Sequence, residues 1–423
     1  MPLTAVVWNI EQFGARLGTF TKGKTVEELR CQLVVQLMTE VSADVLVIQE
    51  LRRDGVMYLR RLKALLGGSW HFDWLPGAQA TSGDLTDFDQ LAFMPTANNE
   101  GYGVLWRTGK LAPLVGSLMS AGMDTVDTTT ASKKRPHYID LSTEGKKLKF
   151  DEPTTTPIGF DEDSALESVA FPHSTCPQVV DNTLETRGNS YSSNDAAQQE
   201  IGSRRPCRVE MNVSSSRTVP LVVYHAPVGA RSSRSPLYGT LIGCSVDALQ
   251  FDDPSEADCV YAGDFNVVSD RDQALLTTYM PNIGYDKFNF NQSMVHVFKF
   301  GGGFRTGTGV FGSARDIAFV KAPTGLAPAT SITDVLWNDI IEKTGSMRNL
   351  FFTNAKTLQG KVFPALVAEQ KADWNQDVMD VANAYLAGNT GNNFPHGADQ
   401  YTAAAIMYTT FLSDHLPVVI TYK

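Results

Sequence analysis

FLSDHLPVVITYK, residues 411–423, closes the chain as a strand with an acid and an imidazole at its mouth. Leu416, Val418, Ile420 and Tyr422 recur at the two-residue spacing that turns one face of a strand toward a core. Asp414 and His415 stand side by side just before them. Other strands carry polar residues at their ends in the same way, and their order along the chain decides how the whole sequence reads.

TAVVWNI (4–10) is a strand that reaches Asn9, and ADVLVIQEL (43–51) is one that reaches Glu50. Val45–Ile48 is apolar at every position, as in strands covered on both faces. Thr25 and Glu28 make a capping-box pattern ahead of Leu29, Leu33 and Leu37, which predicts a helix over 26–40. A second helix starts at Asp54 and ends at Gly67–Gly68. GYGVLW (101–106), CRVEMNV (207–213), VPLVVYH (219–225), DCVYAGDFNVV (258–268) and RDIAFVK (315–321) supply further strands, with helices expected over 237–250, 374–387 and 398–411. Strands alternating with helices, plus hairpin-like neighbours, predict two packed mixed sheets with helices outside.

Composition excludes several classes. At 43% apolar and 19% charged residues, 423 residues can build a large core. Five scattered cysteines without a CxxC argue for reduced thiols rather than a disulfide framework. The chain holds no run of 18 apolar residues, so no membrane span is expected. Its first strand begins almost at Met1, which predicts a cytoplasmic protein, one exported without a cleaved signal peptide, or a chain lacking its leader. A net charge of −10 argues against sequence-blind coating of nucleic acid but leaves room for a local basic groove.

The polar strand ends are Asn9, Glu50, His225, Asp264, Asn266, Asp414 and His415. Strand ends are where α/β sheets build sites, because the strand is fixed and the next loop is free. Carboxylates and amides are hard oxygen ligands suited to Mg²⁺, Mn²⁺ or Ca²⁺. Two histidines can move protons or orient a phosphate. Each piece also has a plainer reading: Gln-Glu as a cap or ion pair, GDFN as a turn, His225 as a satisfied core or surface residue.

Taken in order, WNIEQFG (Asn9), VIQE (Glu50), NEGYGVLW (Glu100), RRP (Arg205), YHAP (His225), AGDFN (Asp264, Asn266), ARDIAFV (Asp316) and SDHLPV (Asp414, His415) resemble the endonuclease/exonuclease/phosphatase superfamily. The resemblance implies a DNase I-like fold: a four-layer α/β-sandwich of two packed mixed sheets flanked by helices. It spans one catalytic domain over 1–423 with two long insertions, about 120–200 and about 325–411. The first is rich in Thr, Ser and Asp; its clusters Lys133–Arg135 and Lys146–Lys149 read as solvated.

The resemblance also implies roles. Asn9, Glu50 and Asp414 would hold a divalent metal, Mg²⁺ or else Mn²⁺ or Ca²⁺, with Asn9 also near the phosphate. Asp264 and Asn266 would position the attacking water and bind the phosphate that His225 and His415 flank. Glu100 would pair with His225, and Asp316 with His415. Arg205 would be a phosphate or structural partner. Arg231 and Arg234, in VGARSSRS after His225, would either meet a nucleic-acid backbone or lie on a solvated loop. One block departs from the family pattern, with Arg315-Asp316 where an Asp-Arg order is common. The glycine run FGGGFRTGTG (300–309) lacks the Lys-Ser/Thr and following helix of a P-loop, and a mobile loop beside the site is expected there. The expected activity is metal-dependent phosphodiester hydrolysis by an endonuclease that cuts DNA with little sequence preference. The alternative is a phosphatase or phospholipase-type phosphodiesterase acting on a lipid or inositol phosphate head group.

Overall fold

In the computed structural model, strands β1 (Leu3–Phe13) and β2 (Val45–Leu51) pair in parallel at the middle of a six-stranded sheet. The residues described are 2–14, 23–52, 55–76, 101–111, 207–225, 258–266, 291–322, 327–333, 335–342, 345–368 and 374–423. Short pieces at 137–138, 150–151, 169–170, 273–274, 277, 281, 285 and 287–289 complete them.

Side-chain parity explains the unbroken apolar runs. Leu3, Ala5 and Val7 of β1 and Val45 and Val47 of β2 enter one core. Val6, Trp8, Ile10, Leu46 and Ile48 enter another on the opposite face. Each fully buried Val, Leu or Ile contributes roughly 1.5–3 kcal/mol relative to exposure, so two-sided burial selects against any polar residue until the strand ends.

The first sheet runs β13 (Ala329–Ile332), β14 (Val418–Tyr422), β1, β2, β4 (Gly101–Arg107), β3 (Trp70–Pro76). The second runs β11 (Lys287–Asn289), β12 (Asp316–Lys321), β10 (Cys259–Asp264), β9 (Arg217–Val223), β8 (Cys207–Ser214), β7 (Val169–Ala170). A separate pair joins β5 (His137–Tyr138) to β6 (Phe150–Asp151). Both large sheets are mixed and built alike, with a parallel pair at the centre (β1 with β2, β9 with β10) and antiparallel neighbours outside. Between them lies a core of Val7, Val47, Val104, Leu221, Val260, Ala318 and Ile420.

Helices α1 (Gly23–Glu40) and α2 (Gly55–Leu66) cover the outer face of the first sheet. So do α3 (Val335–Ile341), α4 (Ser346–Thr353), α5 (Phe363–Ala368), α6 (Gln376–Leu386) and α7 (Gln400–Phe411). The stretch expected as a second insertion, 325–411, is therefore largely helical and shares its core with Trp8 and Ile48. Helices α6 and α7 fall where the sequence predicts them. On the outer face of the second sheet Tyr224, Tyr261, Phe265, Phe319 and Tyr285 pack ring on ring. The helix expected over 237–250 lies outside the described residues. Among the described residues, Cys31 and Cys259 are buried thiols outside any disulfide.

One local expectation fails. Helix α1 begins at Gly23, so Thr25 lies inside its first turn rather than at the cap. Glu28 instead reaches across to Arg61 of α2, whose Nε donates to it at 2.8 Å. A tertiary partner has taken the side chain that the local pattern assigned to the helix end.

The topology places chemistry on one edge. The parallel strands β1, β2, β9 and β10 all run toward it and bring Asn9, Glu50, His225 and Asp264 to it within or just beyond their C-terminal halves. The antiparallel strands β12 and β14 start there, at Asp316 and just after Asp414-His415.

Candidate active site

The central strands leave the regular ladder where they reach this edge. Pairing of β1 with β2 shifts register between Asn9 and Phe13, and that of β2 with β4 shifts between Ile48 and Leu51. Glu11, Gln12, Glu50 and Asn266 all adopt positive φ, at 22°, 52°, 58° and 54°. Such conformations cost on the order of 1–3 kcal/mol each and persist where surrounding contacts over-determine them. Here the contacts are specific: Glu50 Oε2 accepts the Gln12 N–H at 3.0 Å, and Asn9 Oδ1 accepts the Glu11 N–H at 3.1 Å. A bulge that re-aims a side chain turns Glu50 off the sheet while its strand stays buried.

Asp264 is the hub. Asn9 Nδ2 donates both to Asp264 Oδ2 (3.2 Å) and to Glu50 Oε1 (3.0 Å), tying the two sheets together. The same Asp264 Oδ2 lies 3.5 Å from His415 Nε2 and 3.7 Å from His225 Nε2. Its other oxygen accepts the Asn266 N–H at 2.9 Å, while its own N–H donates to Gln49 Oε1 of β2 at 3.1 Å. Gly263 makes this approach possible: at φ 141°, a Cβ there would stand 2.3 Å from the Tyr224 carbonyl oxygen.

His415 is held from every side. Its Nδ1 lies 2.7 Å from Asp316 Oδ2, its N–H donates to Ser413 Oγ, and its carbonyl accepts from Trp8 Nε1 and Tyr408 Oη. Burial alone pulls an imidazole's pKa down, but the carboxylates of Asp316, Asp414 and Asp264 outweigh it and hold His415 well above its usual value. Burial likewise pushes Asp264 up, yet His415, His225, Arg315 and the Asn266 N–H keep it below the usual carboxylate value. These shifts favour an ionised Asp264 beside a protonated His415.

The structure brings together Asn9, Glu50, His225, Asp264, Asn266, Asp316, Asp414 and His415. Asp316 meets His415 despite the reversed Arg-Asp order of its block, because β12 pairs Asp316 directly opposite Asp264. His225 has its Nε2 3.6 Å from Glu50 Oε1, and its N–H donates to Tyr102 Oη. Its expected partner Glu100 lies outside the described residues, as do Arg205, Arg231 and Arg234. Asp414 is half-buried, with Oδ1 3.6 Å from His415 Nε2 and no hydrogen bond to that oxygen among the described residues.

Sequence reasoning missed Arg315, whose Nη1 donates to Asn266 Oδ1 at 3.4 Å and whose charge acts on Asp264. Its place beside Asp316 was the available signal. It also missed Ser293 and Ser413, the hydroxyls that take the Asp316 and His415 N–H groups, and Gln49. The glycine run forms a hydrogen-bonded hairpin, with Met294 bridged to His415 and Phe298 to Phe304. Phe300 is wholly exposed at its tip.

The oxygens gathered at this edge are carboxylate and amide oxygens, and Cys31 and Cys259 are buried in other contacts. Such a donor set fits a hard divalent cation. Among the described residues Glu50, whose side chain is 15% exposed, and Asp414, at 36%, are accessible carboxylates there.

The sequence profile of the Endonuclease/Exonuclease/phosphatase family matches residues 7–335. No curated protein matches the chain. Among solved structures the chain is similar to D. rerio TDP2 complexed with single-strand DNA product, at 11% identity and a TM-score of 0.41, covering 100% of this chain and 99% of that one. It is similar to an endonuclease/exonuclease/phosphatase family protein from Bacteroides thetaiotaomicron, at 10% identity and a TM-score of 0.41, covering 100% and 97%. It is also similar to ANGEL2, a 2',3'-cyclic phosphatase, at 11% identity and a TM-score of 0.41, covering 100% and 95%. Family members hydrolyse phosphate esters or diesters and generally depend on a divalent metal. With the profile match running from β1 to the start of α3, this chain belongs to the Endonuclease/Exonuclease/phosphatase family.

Proposed function

We propose that the protein is a metal-dependent phosphodiesterase whose substrate is nucleic acid, cut as DNA by an endonucleolytic reaction. The observation that carries the hydrolytic reading is the single oxygen Asp264 Oδ2, reached by Asn9 Nδ2 and flanked by both imidazoles within 3.7 Å. Ionised Asp264 accepts a proton from the attacking water as its oxygen bonds to phosphorus. The bond to the leaving oxygen breaks, and that oxygen takes a proton from His415. Asp316 keeps the imidazole oriented and stabilises its charge, as in other His-carboxylate pairs. His225 and Arg315 neutralise charge on the non-bridging oxygens. Glu50, with Asn9 and Asp414, would hold Mg²⁺ or a similar ion, which supplies further charge neutralisation at the phosphate.

Arg231 and Arg234, in the VGARSSRS stretch shortly after His225 in sequence, favour a polyanionic backbone as substrate. Phe300 favours a second reading: a bare aromatic at the tip of a hairpin rooted at His415 suits a lipid surface carrying a phosphodiester head group. Supercoiled plasmid and phospholipid vesicles, each with Mg²⁺ and with EDTA, separate the two. Mg²⁺-dependent nicking of plasmid is the expected result. Turnover of head groups with intact plasmid would replace the nuclease reading by the lipid one.

A further inference from the structure

Helix α1 carries an arginine with no access to solvent, Arg30. Its Nη1 donates to Glu27 Oε1 at 2.8 Å, one turn back on the same helix, and Glu27 is itself 1% exposed. Its Nη2 donates to three backbone carbonyls: Ile10 at 2.7 Å, Leu412 at 2.8 Å and Glu11 at 3.2 Å. The guanidinium also lies over the Phe13 ring, 5.5 Å from its centroid.

Those carbonyls come from two places where regular structure gives way. Ile10 and Glu11 lie where β1 slips register just beyond Asn9. Leu412 is the residue that caps α7, where the chain turns into Ser413-Asp414-His415. Helix ends and strand bulges leave carbonyl oxygens that must find donors when buried. One planar fork with fixed N–H directions serves both, which a point-charge ammonium does not do. Ser413 adds a second tie between the same segments, donating its hydroxyl to the Asn9 carbonyl at 2.6 Å.

We propose that Arg30 is a positioning residue for the hydrolytic site. It sets the separation between the segment that carries Asn9, continuous with the left-handed turn held by Glu50, and the segment that carries Asp414 and His415. It touches neither substrate nor metal. It acts by fixing two backbone segments whose side chains converge on Asp264. The catalytic part of this proposal rests on the phosphodiesterase reading; the geometric part does not.

The test uses the full chain with Glu27→Gln/Arg30→Met, which removes both buried charges together so that neither is left unpaired. Arg30→Lys serves as a second variant that keeps the charge opposite Glu27. Hydrolysis of bis-p-nitrophenyl phosphate is followed at saturating Mg²⁺. The imidazole proton and nitrogen signals of His415, identified by their loss in His415→Asn, are recorded by NMR on the same samples.

The expected result is a kcat reduced about 10- to 100-fold with KM within about 3-fold, in a protein that still melts cooperatively, together with a displaced His415 signal. Arg30→Lys is expected to fall between the double variant and wild type. A double variant with wild-type kcat and an unmoved His415 signal overturns the proposal. So does a loss of activity that only tracks the unfolded fraction. Should the double variant fail to fold, Arg30→Lys decides alone, and an unchanged kcat and His415 signal in it likewise overturns the proposal. Absence of hydrolysis by the wild type would sink the phosphodiesterase reading instead. The NMR signal still reports whether Arg30 places His415.

Discussion

His415 Nδ1 stands 2.7 Å from Asp316 Oδ2, with both side chains buried and the two residues 99 positions apart in sequence. The pair converts an ordinary imidazole into one that holds its proton well above the usual histidine range, since Asp316 leads the carboxylates that oppose the effect of burial.

That shift has a definite sign for stability. A histidine whose folded pKa exceeds its unfolded value, about 6.5, stabilises the fold fully below that pH and loses the contribution as pH rises through the folded value. The melting-temperature gap between wild type and His415→Asn is therefore expected to be widest near about pH 6 and to narrow on the alkaline side. A gap that grows with pH would contradict the protonated assignment.

On the proposed mechanism the same pair would set the alkaline limb of the rate. Asp316→Asn removes the leading carboxylate, so loss of kcat/KM on the alkaline side is expected to move down by about one pH unit or more. The pH profile of kcat/KM measures this, and an unmoved limb would mean that another group supplies the proton.

Both histidines face one oxygen, so their losses are expected not to add. His225→Ala and His415→Ala should each lower kcat/KM by roughly 10²–10⁴-fold, with the double variant only slightly worse than the poorer single. A double loss equal to the product of the singles would show that they act independently.

Glu50→Gln is expected to lower activity by about 10²-fold or more, since one metal-facing carboxylate supports several kcal/mol of charge stabilisation. The fold should survive, because Gln retains an oxygen for the Gln12 N–H. Activity and melting temperature measured together check this; near-normal turnover in a folded variant would remove Glu50 from the site.

Gly263→Ala is expected to destabilise by about 2–4 kcal/mol through left-handed strain and a clash with backbone. The cause is the Cβ position 2.3 Å from the Tyr224 carbonyl oxygen at φ 141°. Urea unfolding reads the difference, and a loss under about 0.5 kcal/mol would mean the two strands part easily.

Much of this protein was legible before any coordinate. The parity of β1 and β2 was written in Val45–Ile48, where two-sided burial admits only apolar side chains, and the polar residues at strand ends marked the edge that carries the site. The order of WNIEQFG, VIQE, YHAP, AGDFN, ARDIAFV and SDHLPV pointed to the fold and to eight of the residues that meet there. Those signals are local: a strand's end and its side-chain alternation are properties of a few consecutive residues. Tertiary structure decided what is not local. Asn9 finds Asp264 across 255 residues and Arg30 finds Leu412 across 382, distances at which no spacing rule operates. Glu28 turned from a helix cap to Arg61, and Arg315 joined Asn266, because packing two sheets and a helical layer brought those groups within reach. Single hydrogen bonds of that kind depend on where whole elements come to rest, and no short stretch of sequence encodes that by itself.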